Sequence, residues 1–311
     1  LTTLDSKAGT LKPNLITDTA SILALEENKT YVKGNQAVKL TTDHNLAQLL
    51  AINNSTAGVI ILHNYTLAVN GNVSDIIAAF VGIDNYTGDI TINNKPTIND
   101  LIAIDAFTSK EVTYTTIQDN PTNLYNNVTN TTLSHPGHVK YVKDSINIIF
   151  TETNDSPSIA ELTAVDTNTN GSLTYSTIKD TGANLKINAG LSNSDSNKYV
   201  KGDKNIIFTE ITQTDETALS ELKAVNLATT GSITLPSNTS FAVKGVLSDL
   251  NTAFSGTYNN SHTGDVIITN PTGVSIADLT TLDSKAGTLK PNLITDTASI
   301  LALAANKTYV K

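Results

Sequence analysis

The sequence at positions 166–171, D-T-N-T-N-G, could open a calcium-binding loop. Oxygen-bearing side chains at alternate positions, here Asp166, Asn168 and Asn170, would ligate the ion, and a glycine stands sixth. The twelfth position, which should carry a bidentate glutamate, is Thr177, and the corresponding segments elsewhere in the chain lack the ligands. We therefore favour a helix-ending turn for this segment and keep calcium binding as the alternative.

Histidines are the other candidate metal ligands. His135 and His138 flank Pro136-Gly137, a dipeptide typical of an exposed turn, and no third ligand is apparent near them. The remaining histidines, each isolated in the sequence, are His44, His63 and His262. Apart from the calcium candidate, the sequence therefore predicts no metal and no cofactor.

Three Asp-Thr pairs could supply carboxylates for hydrolysis: Asp18-Thr19, Asp180-Thr181 and Asp296-Thr297. Each pair lies between an expected strand and an expected helix, where aspartate or threonine caps the first helical turn. A catalytic residue would interrupt a repeating pattern once, whereas a structural residue follows it. Because the sequence also lacks a Ser-His-Asp constellation and a phosphate-binding loop, we expect no catalytic residues and no enzyme activity.

Composition narrows the class of protein. The 311 residues are 39% hydrophobic but only 5% aromatic, so aliphatic side chains must fill the core. The absence of cysteine excludes disulfides and thiolate metal sites. The net charge of -9 argues against nucleic acid as a partner, since binding to phosphates requires a basic surface. No apolar run approaches the roughly 18–20 residues of a transmembrane helix, so we expect no membrane span.

The beginning of the sequence returns at its end. Residues 279–311 repeat residues 1–33 except that Glu26-Glu27 becomes Ala304-Ala305. Leucine-led motifs divide the remainder, and the expected units are 1–45, 46–100, 101–161, 162–221, 222–278 and 279–311. We therefore expect residues 1–311 to form one elongated solenoid, one period and a short overlap of a longer tandem array.

Short β-branched runs bounded by turn residues predict strands within these units. The expected strands are Val59–Leu62, Asp89–Ile92, Val112–Thr115, Asn147–Thr151, Ser172–Tyr175, Ile206–Thr209, Ser232–Leu235 and Val266–Thr269. Ser158 and Ser275 begin capping-box patterns that predict helix starts, and a glycine in a left-handed conformation is expected to end helices at Gly171, Gly231 and Gly287. The predicted fold class is an α/β repeat solenoid of short parallel strands alternating with short helices, about 28 residues per coil.

Three segments carry a resemblance to a known family: Val274–Asp283, Thr229–Thr234 and Ile294–Leu303. They resemble the repeats of giant secreted bacterial cell-surface proteins of the surface-layer, motility and adhesin type, as in marine cyanobacteria. Those repeats run approximately V-A-x-L-N-x-I-D-A-x-T-T-G-x-I-T followed by I-T-D-T-A-x-N-L-L-A-L. This chain departs from them by having no arginine and many asparagines.

The resemblance implies a non-catalytic, extracellular role at the cell surface. We expect a structural segment of a surface layer, fibre or adhesin stalk that binds copies of itself end to end and through lateral contacts. The alternatives are an adhesin module that binds calcium or a surface glycan and, with less support, a polysaccharide-active solenoid enzyme. The enzyme would need a carboxylate cluster confined to one groove, and the sequence shows only repeated acids.

Overall fold

A computed structural model describes residues 11, 13–129, 140–153 and 155–310 of the chain. The chain divides into two compact units. The first comprises Leu1–Asp119, Asn130–Ile149 and Thr169–Ser172, and the second comprises Asn120–Thr129, Phe150–Asn168 and Leu173–Lys311. Both units are mixed α/β structures in which short parallel strands alternate with short helices, which agrees with the α/β part of the predicted fold class.

The strands of the described residues are short, with no more than four residues each. They are β1 Leu15–Asp18, β2 Ala37–Leu40, β3 Ile60–Ile61, β4 Val69–Gly71, β5 Ile90–Ile92, β6 Thr116–Asp119, β7 Asn147–Phe150, β8 Leu173–Thr174, β9 Thr177–Asp180, β10 Asn205–Phe208, β11 Ser232–Thr234, β12 Val243–Gly245, β13 Thr257–Tyr258, β14 Asp265–Ile268 and β15 Thr288–Pro291.

The helices range from a single turn to the longer helix at Asp215–Ala228. They are α1 Ala20–Leu23, α2 Leu46–Asn53, α3 Val73–Phe80, α4 Ile98–Asp105, α5 Pro121–Thr129, α6 Ile159–Asp166, α7 Gly182–Ala189, α8 Asp215–Ala228, α9 Leu247–Ala253, α10 Ile276–Asp283 and α11 Ala298–Leu301. Two 3₁₀ turns, Glu26–Thr30 and Ala304–Thr308, follow α1 and α11.

Strands pair in parallel with strands close to them in the sequence. The first unit contains the sheets β1-β2-β3 and β4-β5, and the second contains β9-β10-β11-β13 and β12-β14-β15. The interval between paired residues varies: it is short from Val69 to Ile90 and longer from Thr177 to Asn205. The intervals from Thr177 to Asn205 and from Ile206 to Ile233 match the predicted repeat of about 28 residues, and those of the other strand pairs are shorter.

The core consists of aliphatic side chains contributed one or two at a time. Ile276, Leu279 and Leu282 are buried on one face of α10, as their three- and four-residue spacing predicted. In the strands a single apolar residue is often buried between half-buried or exposed neighbours, as Val38 is in β2. Each element thus buries little apolar surface by itself and depends on its neighbours in the fold.

The two predicted helix starts are confirmed. Ser158 and Ser275 are the N-caps of α6 and α10, and each accepts a hydrogen bond from the backbone N–H of the third helical residue. That residue, Glu161 or Asp278, accepts a hydrogen bond in return from the N-cap backbone N–H. These capping boxes satisfy two backbone donors that the helix leaves unpaired, so the local sequence alone fixes where these helices begin.

The predicted left-handed helix ends at Gly171, Gly231 and Gly287 are wrong. Positive φ among the described glycines occurs instead at Gly34, Gly82, Gly202 and Gly273. At Gly231 an added Cβ would lie within 3.0 Å of the backbone of Lys204 and Asp203, and at Gly171 within 3.0 Å of Ile146. Glycine occupies these positions because another stretch of backbone passes too close for a side chain.

One predicted strand is also displaced. Within the predicted strand Val112–Thr115, only Thr113 forms a bridge, to Thr91, and the strand itself is β6, Thr116–Asp119. The shift places Asp119 at the last position of a strand, where its side chain is buried. That position is central to the polar contacts described next.

Candidate functional site

The calcium candidate is part of a helix end. Asp166 is the last residue of α6, and its Oδ2 accepts a hydrogen bond of 3.0 Å from the Tyr199 hydroxyl. The Asn168 side-chain amide donates to the Ala164 carbonyl at 2.8 Å, while the Asn170 side chain is exposed. Among the described residues no group of three or more His, Cys, Asp or Glu side chains is placed to bind a metal ion.

The contact between Asp166 and Tyr199 has counterparts at two other helix ends. Tyr309 donates to Asp283 at 2.9 Å, and Tyr141 lies 3.4 Å from Asp105. Burial, and to a smaller extent the nearby Asp105 carboxylate, raises the pKa of Tyr141 above its usual range. This hydroxyl therefore stays protonated and remains a donor. The aspartate that ends each helix therefore fixes a tyrosine from a later segment, a structural use of the carboxylate.

The Asp-Thr pairs cap helices, as predicted. Thr19, Thr181 and Thr297 are the N-caps of α1, α7 and α11, and their side chains accept from backbone N–H groups at 3.3, 3.3 and 3.4 Å. The preceding aspartate uses its Oδ1 to accept from the backbone N–H of the threonine, at 2.8 Å for Asp18 and 2.7 Å for Asp180. The contacts of these pairs are thus those of helix caps.

The second oxygen of two of these aspartates, Asp180 and Asp296, makes a contact that the sequence did not reveal. Asp180 Oδ2 accepts from the backbone N–H of Ile159, the first residue of α6, at 2.9 Å. We call such a bond, from the first N–H of a helix to a side chain at or within two residues after the end of a later strand or β-bridge, a downstream cap. The downstream caps are Ala20–Thr42, Val73–Asn94, Ile98–Asp119, Ile159–Asp180, Leu247–Asn270 and Ile276–Asp296, with lengths of 2.7–3.1 Å.

A second recurring contact surrounds the close-packed glycines. Thr56, Thr169 and Thr229 each precede such a glycine by two positions and accept from its backbone N–H at 2.9 Å. Their hydroxyls also bond to backbone carbonyls of an earlier segment, as Thr56 does to Gln36 at 2.6 Å. The recurring T-x-G motif is visible in the sequence and would have identified these threonines as structural.

His262 occupies the corresponding place before Gly264. Its Nε2–H donates to the Phe241 carbonyl at 2.7 Å, and its Nδ1 accepts from the Gly287 N–H at 3.3 Å. Burial lowers the pKa of His262, and the bond to Phe241 opposes this effect. The neutral imidazole is thus held in one tautomer as a structural link.

His44 is buried without hydrogen bonds. It is 4% exposed, and neither ring nitrogen has a partner among the described residues. It precedes the N-cap Asn45, a place taken by Pro96, Pro157 and Val274 before other helices. Burial lowers the pKa of His44, and the charge of Asp43 opposes this effect. His44 thus occupies a buried position that proline or valine fills before these other helices. His63 is exposed, and His135 and His138 lie outside the described residues.

The described residues form several open surface grooves with both polar and apolar lining. One groove of about 510 Å³ lies between α2, β4 and α3 and contains the side chains of Asn45, Asn70 and Asp75. It offers a single carboxylate, whereas glycoside hydrolysis generally requires two carboxylates on opposite sides of the scissile bond. This groove therefore does not contain the usual pair of groups for that reaction.

Comparison of this chain with known protein families, with curated proteins and with solved structures found no match. Among the described residues, no helix has both the length and the apolar character needed to cross a membrane. The strongest functional feature is therefore the set of polar contacts between neighbouring segments, and in particular the downstream caps.

Proposed function

We propose that this chain is a segment of an α/β repeat solenoid with a structural role in an extracellular surface layer, fibre or adhesin stalk. In this proposal the downstream caps and the parallel strand pairs link each coil to the next one. The chain performs no chemistry, and its function is to hold a fixed spacing and to present surfaces for end-to-end and lateral assembly.

The observation that supports the proposal is the regularity of the downstream caps. The two residues of each cap are 20 to 23 residues apart in the sequence, and the six caps are distributed over both units. A coil of about this length cannot bury enough apolar surface to offset the entropy of ordering its backbone, so it must be stabilised by the coil beside it. Contacts that each span about this number of residues are what a stacked solenoid requires between one coil and the next.

The extracellular assignment rests on the sequence. The resemblance of residues 274–283 to giant surface-protein repeats supports it, and the absence of cysteine is compatible with an oxidising exterior. Antibodies against the chain should therefore label intact source cells. Labelling that appears only after lysis would contradict the surface assignment.

The solenoid architecture can be tested with one core substitution. Val266 is fully buried in β14 and pairs with Val243. In a solenoid each coil contacts only its neighbours, so Val266→Asp should increase amide hydrogen exchange around residues 243–291 and leave residues 15–105 as protected as before. Loss of protection throughout the chain would indicate a single cooperative core and contradict the proposal.

A further inference from the structure

Two nearly identical sequences in this chain have different surroundings. Residues 15–33 and 293–311 differ only at two glutamates that become alanines. Their capping geometry is the same, with φ and ψ of -67° and 151° at Thr19 and of -67° and 150° at Thr297. Residues 15–18 nevertheless form β1, whereas the same sequence at 293–296 forms only a bridge from Ile294 to Val274.

Burial differs in the same way. Ala20 is 0% exposed and Val32 is 1% exposed, whereas their equivalents Ala298 and Val310 are exposed, Val310 by 41%. Leu23 is buried, and its equivalent Leu301 is half-buried. We call the surface formed by Ala298, Leu301 and Val310 the terminal face.

The first copy shows what covers such a face. β2 pairs with β1 in parallel, and the Thr41 N–H donates to the Asp18 carbonyl at 2.9 Å. Beyond β2, Thr42 accepts the downstream cap from the Ala20 N–H at 3.1 Å. The cover therefore consists of a parallel strand followed by a residue with a side-chain acceptor.

The two ends of the described chain carry a donor and an acceptor of the two kinds that form downstream caps, each without its cap partner. The Ala298 N–H, at the start of α11, has no hydrogen-bond acceptor among the described residues. Asp18 is the sequence equivalent of Asp296, whose Oδ2 accepts from the Ile276 N–H, but among the described residues the Asp18 side chain accepts only from the Thr19 N–H. Asp18 also ends β1, which is the first strand of its sheet and has β2 as its one described neighbour.

We propose that the terminal face of one copy binds the β1 edge of a second copy, head to tail, with Asp18 of the second copy accepting from the Ala298 N–H of the first. This inference rests on the proposed function and specifies its end-to-end contact. β1 of the second copy takes the place that β2 has beside residues 15–18. The second copy of the repeated sequence has Ala304-Ala305 in place of Glu26-Glu27 and so carries two fewer negative charges, in a chain of net charge -9.

The test is sedimentation velocity of the 311-residue chain from micromolar to millimolar concentration. We expect concentration-dependent association, accompanied by increased protection of residues 298–310 from hydrogen exchange. Ala298→Pro removes the donor N–H, yet proline is tolerated at the first helical position and Thr297 already has the extended backbone that precedes proline. This variant should fold normally, and its association constant should fall by up to about tenfold.

The matched control is Ser299→Gln. Ser299 is exposed, and so is its equivalent Ser21 in the covered first copy, so this larger side chain should leave association unchanged. Val310→Gln provides a second variant on the terminal face, and it should weaken association without unfolding the chain because Val310 is already 41% exposed. A chain that stays monomeric, or that associates equally well with Ala298→Pro and Val310→Gln, overturns the inference.

A fused chain separates this inference from the proposed function. In this chain Lys311 is followed by residues 34–311, as Lys33 is followed by Gly34 in the first copy. If the fusion protects residues 298–310 but free chains do not associate, the docking proposal fails while the solenoid stands. If the fusion leaves residues 298–310 as exposed as before, both proposals fail.

Discussion

Gly231 allows a sharp test of why glycine follows the helices. Its backbone N–H donates to Thr229 Oγ1 at 2.9 Å, and it leads directly into β11. A Cβ at this position would lie within 3.0 Å of backbone atoms of Lys204 and Asp203. Because backbone atoms cannot rotate away as a flexible side chain can, Gly231→Ala must push apart the segments that lead into the paired strands β10 and β11.

The expected cost of Gly231→Ala combines two opposing effects. Overpacking a well-packed site typically costs about 1–3 kcal/mol. Replacing glycine by alanine also restricts the unfolded chain, which stabilises the fold by about 0.4–1 kcal/mol. The steric effect is larger, so we expect the free energy of unfolding to fall by about 1–2 kcal/mol, with faster hydrogen exchange in β11.

Urea denaturation can compare Gly231→Ala with two matched glycines. At Gly190 an added Cβ would lie 3.4 Å from the nearest atom, so Gly190→Ala should keep or slightly raise stability. Gly202 has φ of +63° and open space around it, so asparagine should be tolerated there better than alanine. At Gly231, asparagine should be at least as harmful as alanine. The close-approach explanation would be refuted if Gly231→Ala were as stable as the wild type, or if Gly231→Asn were more stable than Gly231→Ala. The second result would favour a left-handed turn at this position.

The buried histidines, a capping aspartate and the calcium candidate each predict a measurable response. His44 and His262 have lowered pKa values in the fold, so their neutral forms stabilise it fully above about pH 6.5, and this stabilisation is lost as the pH falls through the lower folded-state pKa. Urea denaturation at neutral and mildly acidic pH should show the loss, and His44→Leu should reduce it. Asp180 accepts from the Ile159, Thr181 and Asn184 nitrogens, so Asp180→Ala should lower the free energy of unfolding by about 2–4 kcal/mol in the same assay. Calcium chloride should leave the melting temperature unchanged, because the Asp166 carboxylate is already bound by Tyr199.

Exposed residues of the same types provide the controls. His63→Gln should keep the acid sensitivity, and Asp84→Ala should have a stability close to wild type, because both side chains are exposed. An acid response that persists in a His44→Leu, His262→Thr double variant would mean that other groups cause it. A rise in melting temperature with calcium that Asp166→Ala abolishes would reinstate the calcium-binding alternative.

Local signals in the sequence predicted the helix starts well. The two partners of a capping box are separated by less than one helical turn, as Ser158 and Glu161 are, so the pattern is complete within a short stretch of sequence. The same holds for the capping role of the Asp-Thr pairs, since Thr181 caps a helix that begins at the next residue. These features could be read without knowing what surrounds them.

Contacts between residues far apart in the sequence could not be predicted from local patterns. β1, β6 and β9 each bury a strongly apolar residue at only one position, Ile16, Ile117 and Ile178, so no apolar run or alternation marks them as strands. The second oxygen of Asp180 reaches a backbone N–H 21 residues earlier, which no local pattern indicates. The close approach of Lys204 to Gly231 is likewise a property of packing, whereas the position of this glycine after a helical pattern predicted a left-handed helix end.

The downstream caps also bear on how the chain is made. Each of these helices receives the acceptor for its first N–H from a residue 20 to 23 positions later, so a newly synthesised helix emerges from the ribosome before its cap exists. At about 5–20 residues per second, the acceptor follows about 1–5 seconds later. Folding during synthesis should therefore lag translation by about one such interval, with the most recently made helix always the least stable part of the nascent chain.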